Sequence, residues 1–271
     1  VNPIELAQQA ARIGADVLLQ HWEVLNKEDA DLKARNDWVS RADRESEAAI
    51  VDFLRLHRPG DDFLGEEGGR MKATAPEKAS GGTWVIDPLD GTSNYLQHYP
   101  CWSVSIAYRE GNEVTAGVVY EPLRQMMFAA EKGSGAFRNG VPMRVSAHGE
   151  MEGSFLATGF PFRAQKFVSV YCAIFQEVIS VAKGVRRAGS AALDLAYTAA
   201  GVFDGFFELH LAPWDVAAGA LLVTEAGGTV SDFSGGDSFW QRGNIVGASP
   251  AVHRGLLQLI ARHLREDQLD R

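Results

Sequence analysis

Apolar residues recur at helical spacing from the start of the chain. Ile4, Ala7, Ala10, Ala11, Gly14, Val17 and Leu18 fall on one face. Asn2 is placed to cap this helix, Pro3 suits its first position, and Glu5 sits where a capping-box acid belongs. A second helix is predicted to start between Ser40 and Asp43 and to end before Pro59-Gly60, with Ile50, Val51 and Leu54 on its apolar face. The period then shortens. Phe63-Leu64 leads into Gly65-Glu66-Glu67-Gly68-Gly69, residues 70–82 read as a polar loop, and Thr83 to Ile86 form a short strand feeding Asp87. Residues 102–108 alternate, with Trp102, Val104, Ile106 and Tyr108 on one face. Residues 114–120 and 126–130 read as further strands, parted by Glu121-Pro122.

Beyond residue 150 the elements alternate. Strands are predicted at 154–158 and 205–210, and helices at 166–181, 190–200, 215–226 (ending at Gly227-Gly228) and 250–264. Strand runs flanked by helix pairs imply an α+β chain built in layers. Any boundary between two lobes falls near 145–152.

Composition narrows the function. The 271 residues are 46% hydrophobic and 23% charged, which suits an ordinary globular protein. The net charge is −9, and the basic clusters, Lys33/Arg35 and Lys183/Arg186/Arg187, are small. Direct nucleic-acid binding is not expected. Cys101 and Cys172 fit no metal or redox spacing and are expected to be two buried thiols in a reducing compartment. The opening residues read as a helix cap rather than a leader, and no apolar run approaches the roughly 20 residues of a membrane span. A cytoplasmic setting is expected.

The chemistry concentrates in Trp84-Val85-Ile86-Asp87-Pro88-Leu89-Asp90-Gly91-Thr92-Ser93-Asn94. An apolar strand ends in an acid, proline turns the chain, and a second acid follows three residues after the first. Two like charges about 4 Å apart repel by roughly 4 kcal/mol at an effective dielectric of 20, so such a pair needs a cation or a shared proton. Oxygen-only ligands select a hard cation such as magnesium. Gly91 and Thr92, opening a helix, offer backbone N–H groups to a phosphate. Taken alone, the segment also fits a turn with a helix cap. Glu66-Glu67 between glycines also fits a solvated turn, and Asp215 in Trp214-Asp215-Val216-Ala217-Ala218-Gly219 a plain cap. Three acid-bearing segments in one chain are harder to explain that way. Two residues separate Asp87 from Asp90, whereas aspartyl-phosphate phosphatases have one, so Asp87 is not read as a covalent nucleophile.

These segments resemble the inositol monophosphatase family. Gly65-Glu66-Glu67, Asp87-Pro88-Leu89-Asp90-Gly91-Thr92, and Trp214 to Gly219 running on to Glu225-Ala226-Gly227-Gly228 occur in the family's order, and Arg186-Arg187-Ala188-Gly189-Ser190-Ala191-Ala192-Leu193-Asp194-Leu195-Ala196-Tyr197 is similar to its bacterial members. The resemblance implies a layered α/β/α/β/α sandwich, a single phosphatase domain over 1–271 and two or three Mg²⁺ ions. It assigns Glu66, Asp87 and the Leu89 carbonyl to one ion, Asp87, Asp90 and Asp215 to a second, and a weaker third near Glu66. Thr92, hydrogen-bonded to Asp43, would orient the attacking water beside Glu66, and the Gly91 and Thr92 amides would hold phosphate. Asp90, Gly189, Ser190, Ala191 and Glu208 would meet the polyol. Lys33 falls where the family has a mobile lysine, after a loop of different length.

By the same resemblance the protein is a lithium-sensitive homodimer acting on a small phosphorylated polyol, inositol monophosphate foremost. Fructose bisphosphate, nucleotide bisphosphate or histidinol phosphate are alternative substrates. A non-catalytic role beside the transcription and ribosomal-RNA machinery is another class of function. Tyr95 and Ser40 depart mildly from the family's usual residues. Trp84, Trp102 and Trp214 are expected to pack rather than stack on a ligand, and no histidine, His98 and His210 included, has a metal-ligand spacing.

Overall fold

The computed structural model describes residues 2–264, apart from 26, 27, 29, 30, 35, 36, 76, 78–80 and 163, with only the backbone at 32–34, 37 and 38. Arg35 therefore lies outside the described residues, and so does the Lys33 side chain. The elements in chain order are α1 (Pro3–His21), β1 (Asp31–Ala34), β2 (Asp37–Val39), α2 (Arg41–His57), β3 (Asp62–Gly65), β4 (Gly69–Met71), β5 (Gly82–Asp90) and α3 (Thr92–Leu96). There follow β6 (Ser103–Glu110), β7 (Glu113–Glu121), β8 (Met126–Glu131), β9 (Gly135–Arg138), β10 (Val141–Pro142), β11 (Phe155–Thr158), α4 (Val168–Val181) and β12 (Gly184–Arg186). The chain continues with α5 (Ala191–Ala199), β13 (Gly205–Leu209), α6 (Pro213–Glu225), β14 (Thr229–Ser231), α7 (Phe239–Arg242), β15 (Asn244–Ala248) and α8 (Pro250–Ile260).

Local chemistry sets the helix starts. The Asn2 side chain accepts from the Ile4 amide, and Ser40 and Asp43 form a reciprocal capping box at α2. Strand faces follow the two-residue period. On β5, Trp84 and Ile86 enter the core under α1 and α2, while Val85 points the other way, toward α5 and α6. Trp102, Val104, Ile106 and Tyr108 all join the first of these cores, although Trp102 lies just outside β6.

Two large sheets result. One runs β10-β9-β8-β7-β6-β5-β3-β4, antiparallel except for β3 beside β5. The other runs β12-β11-β13-β15-β14. Helices α1 and α2 cover the outer face of the first sheet, α5 and α6 fill the space between the sheets, and α4 and α8 cover the far face of the second. This is the expected α/β/α/β/α layering. No helix among the described residues is long and apolar enough to cross a membrane.

Several local expectations need correction. Gly69–Met71 is a strand paired with β3, not loop. The strand at Thr83–Ile86 runs on through Pro88 to Asp90. The final helix stops at Ile260 rather than 264. The structure adds the strands β1, β2, β9, β10, β12, β14 and β15, two to five residues long, which the sequence pattern does not predict and which are defined by pairing with neighbouring strands. Cys101 is half-buried, but Cys172 is exposed, facing solvent from α4 while Tyr171, Ile174 and Val178 take the buried side.

Candidate active site

Asp87 and Asp90 are three residues apart on one strand, so a regular pleat would send them to opposite faces. The strand is not regular there. Asp87 pairs with Ser105 and Asp90 with Ser103, which sets three steps of β5 against two of β6. This bulge restores the parity. Both carboxylates reach the same cavity, and the Leu89 amide donates to Asp87 Oδ1 at 3.0 Å, fixing the kink.

The cavity has a volume of about 460 Å³. Glu66, Asp87, Leu89, Asp90, Gly91, Thr92 and Asp215 border it, and so do Gly189, Ala191 and Glu208. Residues separated by up to 149 positions (215 − 66) thus meet where the two sheets and the middle helices come together. Asp215 stands at the third position of α6, where its Oδ2 accepts from the Ala212 amide at 2.7 Å. Two expected residues stand behind the wall instead. Asp43, 1% exposed, accepts from the Thr92 hydroxyl at 2.9 Å and from the Ser40 amide and hydroxyl at 2.8 and 2.6 Å. Ser190, also 1% exposed, does not border the cavity but donates to Asp90 Oδ2 at 2.5 Å, beside the Ala192 amide at 2.8 Å.

Gly91 caps α3 with φ 100°, a conformation for which glycine is suited, and a Cβ there would stand 3.0 Å from the Cys101 carbonyl. Helix α3 has only five residues, so what it offers an anion is its individual backbone N–H groups. Asn94 ties this turn to the Gly189 segment, donating to the carbonyls of Cys101 and Ala188 at 2.7 and 2.9 Å.

The electrostatics are one-sided. Burial pushes Asp87 well above the usual carboxylate range, and Glu66, Asp90 and Asp215 push it further. Asp90 is raised to about 7, by burial and then by Asp215, against the hydrogen bonds of Ser190 and Ala192. Asp43 and Asp194 are raised by burial too. Such a set is costly to ionise together without a cation. Glu66, Asp87, Asp90, Asp215 and the Leu89 carbonyl form an all-oxygen donor set suited to hard divalent ions. Among the described residues no three acid, imidazole or thiol groups close into a ready-made cage. The donor set fits an ion that completes its shell with water or substrate oxygens, as magnesium does.

Three contributors were not read from the sequence. Glu47, 4% exposed, accepts from the Glu67 and Gly68 amides at 2.9 and 2.6 Å and so braces the turn that carries Glu66. A Cβ on Gly65 would lie 2.4 Å from that carboxylate. The signal was present: Asp43 and Glu47 are acids four apart on the buried face of α2. Arg187 borders the cavity with its guanidinium carbon 5.7 and 5.2 Å from the rings of Phe160 and Phe162. Gly159 is the third; Glu208 packs directly against it. Trp84 and Trp102 are buried in packing, and Trp214 is half-buried. His98 bonds the Leu25 carbonyl, while His210 borders the cavity.

Comparison with known proteins decides the family. The family model described as the inositol monophosphatase family matches residues 2–269. The chain belongs to the inositol monophosphatase family. Among its relatives, the Escherichia coli K12 protein named Nus factor SuhB is 42% identical over 254 residues, 94% of each chain. The extragenic suppressor protein suhB of Bartonella henselae superposes with a TM-score of 0.90 at 37% identity, covering 96% of this chain and 98% of that one. An IMPase from Thermotoga maritima superposes with a TM-score of 0.86 at 32% identity, covering 97% and 98%. The layered sandwich is therefore that of inositol monophosphatases, with the cavity lying where its two sheets meet the middle helices.

Proposed function

We propose that this chain hydrolyses a small phosphate monoester, inositol monophosphate foremost, with magnesium. The observation that supports this most strongly is the convergence of Glu66, Asp87, Asp90 and Asp215 on one cavity beside Gly91 and Thr92. Glu66, Asp87 and the Leu89 carbonyl would hold one ion, Asp87, Asp90 and Asp215 a second, and Glu66 a weaker third. Bound magnesium supplies positive charge to a transferring phosphoryl group and makes water acidic enough to react near neutral pH.

The chain's own groups do the positioning. Thr92 points its hydroxyl proton toward Asp43, which leaves an oxygen lone pair to accept from the attacking water. Glu66 flanks that water on the cavity side. The Gly91 and Thr92 amides hold phosphate oxygens. Ser190 fixes Asp90, while Gly189, Ala191 and Glu208 face the polyol hydroxyls. Reaction is direct displacement at phosphorus: the water oxygen bonds to phosphorus and gives up a proton to Glu66 or solvent, the ester P–O bond breaks, and the leaving alkoxide takes a proton from solvent. Catalysis of this kind is positioning plus charge stabilisation.

A second reading keeps the chemistry and changes the leaving group. Arg187, framed by Phe160 and Phe162 at the cavity, favours a substrate with a second anionic group, such as a sugar or nucleotide bisphosphate. A different class of function follows from the name Nus factor borne by relatives 42% identical to this chain: a binding role in transcription. We extend the first reading to a cytoplasmic homodimer inhibited by Li⁺. The test is a panel of sugar, polyol and nucleotide phosphates assayed with and without Mg²⁺. Release of phosphate only with Mg²⁺, fastest from inositol monophosphate, supports the proposal; no turnover on any member favours the binding role.

A further inference from the structure

A second cavity, about 230 Å³, opens between the β3–β4 hairpin, the start of α6 and helix α7. It shares no bordering residue with the first. Its walls carry Arg70, Lys72 and Arg109, the Trp240 indole, and the apolar Phe63 and Pro213. Three cations face one acid, Asp62, and that acid is already engaged: Lys72 Nζ donates to it at 2.7 Å and the Ala73 amide at 2.9 Å.

Arg109 is the decisive residue. Its Nε is buried and has no hydrogen-bond partner among the described residues. Its guanidinium lies over Trp240, 5.9 Å from the ring centroid. That contact favours the cation without supplying an acceptor oxygen. Buried donors are ordinarily paired; this one is closed to solvent, so an anion in the cavity would meet the rest of the Arg109 side chain.

We propose that this cavity binds a small phosphate-bearing anion, with Arg109 and Arg70 supplying the guanidinium forks. Planar forks match phosphate oxygens in pairs, which a lone ammonium does not. The volume lies below the roughly 300–1,000 Å³ of pockets for drug-sized ligands. It suits free phosphate or a short phosphate ester and is too small for a nucleotide. The placement matters because β3 runs directly into Glu66 and Pro213 precedes Asp215 by two residues, so an occupant touches both segments that feed the catalytic cavity.

The test uses the whole chain in EDTA, where the metal-dependent site is silent. Inorganic phosphate is titrated calorimetrically against chloride at equal ionic strength, and melting is followed in parallel. Wild type is expected to bind one phosphate per chain and to melt higher with it. Arg109→Met should lose at least tenfold in affinity while melting no lower than wild type without phosphate, since it removes an orphaned donor. Arg70→Met, a change at an exposed position, should weaken binding without affecting the fold, which keeps the test valid if Arg109→Met misfolds. Unchanged phosphate binding in both variants overturns the proposal. So does loss of binding in Asp90→Asn but not in Arg109→Met, which places the phosphate in the catalytic cavity. Acetate binding as tightly as phosphate overturns the assigned ligand class.

Discussion

The Thr92 hydroxyl lies 2.9 Å from Asp43 Oδ1, joining two residues 49 positions apart and linking the first turn of α2 to the start of α3. Asp43 is itself held by Ser40, and it is the nearer of two acceptors within reach of the Thr92 hydroxyl, the other being the Leu89 carbonyl at 3.1 Å. Thr92→Val removes the hydroxyl and keeps the shape. We expect kcat to fall by about 100-fold or more, in the range for a positioned proton-handling group, with little change in KM. Asp43→Asn, whose amide can donate to Thr92 rather than accept, should act in the same direction. Steady-state kinetics at saturating Mg²⁺ check this, and wild-type kcat in both variants contradicts it.

Glu208 and Gly159 give a second prediction. A Cβ on Gly159 would stand 1.9 Å from the Glu208 carboxyl carbon, which is the far end of a flexible side chain. Gly159→Ala should therefore fold normally but push Glu208 aside. KM for a polyol phosphate should rise several-fold with Tm nearly unchanged. A large fall in Tm with unaltered KM contradicts a substrate role for Glu208.

Much of this architecture is legible in the chain. The period-3.6 stretch at residues 4–18 gives α1, the alternation at 102–108 gives β6, and the acid-bearing segments give nearly half of the cavity wall. What stays hidden depends on pairing between distant residues. The β5 bulge cannot be read from Asp87-Pro88-Leu89-Asp90 alone, because it is defined by register against Ser103 and Ser105. The resemblance puts Ser190 among the substrate contacts, and nothing local in the chain shows that its hydroxyl turns inward to Asp90. Arg187 read only as part of a basic cluster, since its aromatic neighbours Phe160 and Phe162 come from another segment.

Arg187 separates the substrate readings. Arg187→Gln should lower kcat/KM for a bisphosphate by tenfold or more, equivalent to about 1.4 kcal/mol, while changing that for inositol monophosphate little. An equal loss on both substrates removes the case for a second anionic group.

The buried carboxylates set a pH dependence. Asp90 titrates near 7 in the folded chain, against about 4 for an unperturbed aspartate. Between those values the folded state holds the extra proton, so its contribution is fully present below about 4 and is lost as pH rises through 7. Buried His253, held below its usual value, acts in the opposite sense. Comparison with Asp90→Asn isolates the carboxylate. In EDTA, wild type should lose more stability than Asp90→Asn between pH 5 and 8, and Mg²⁺ should restore wild type more at pH 8. Equal pH slopes for the two proteins contradict the assignment.

Phosphate release from inositol monophosphate, measured for wild type and Asp90→Asn across a Mg²⁺ titration, tests the central claim most directly. Asparagine can still accept from Ser190 and Ala192, so the fold should survive while an anionic oxygen disappears. Wild type should turn over only with Mg²⁺, and the variant should be nearly inactive at every concentration. A variant with the wild-type rate, or a wild type indifferent to EDTA, contradicts a metal-bearing carboxylate centre.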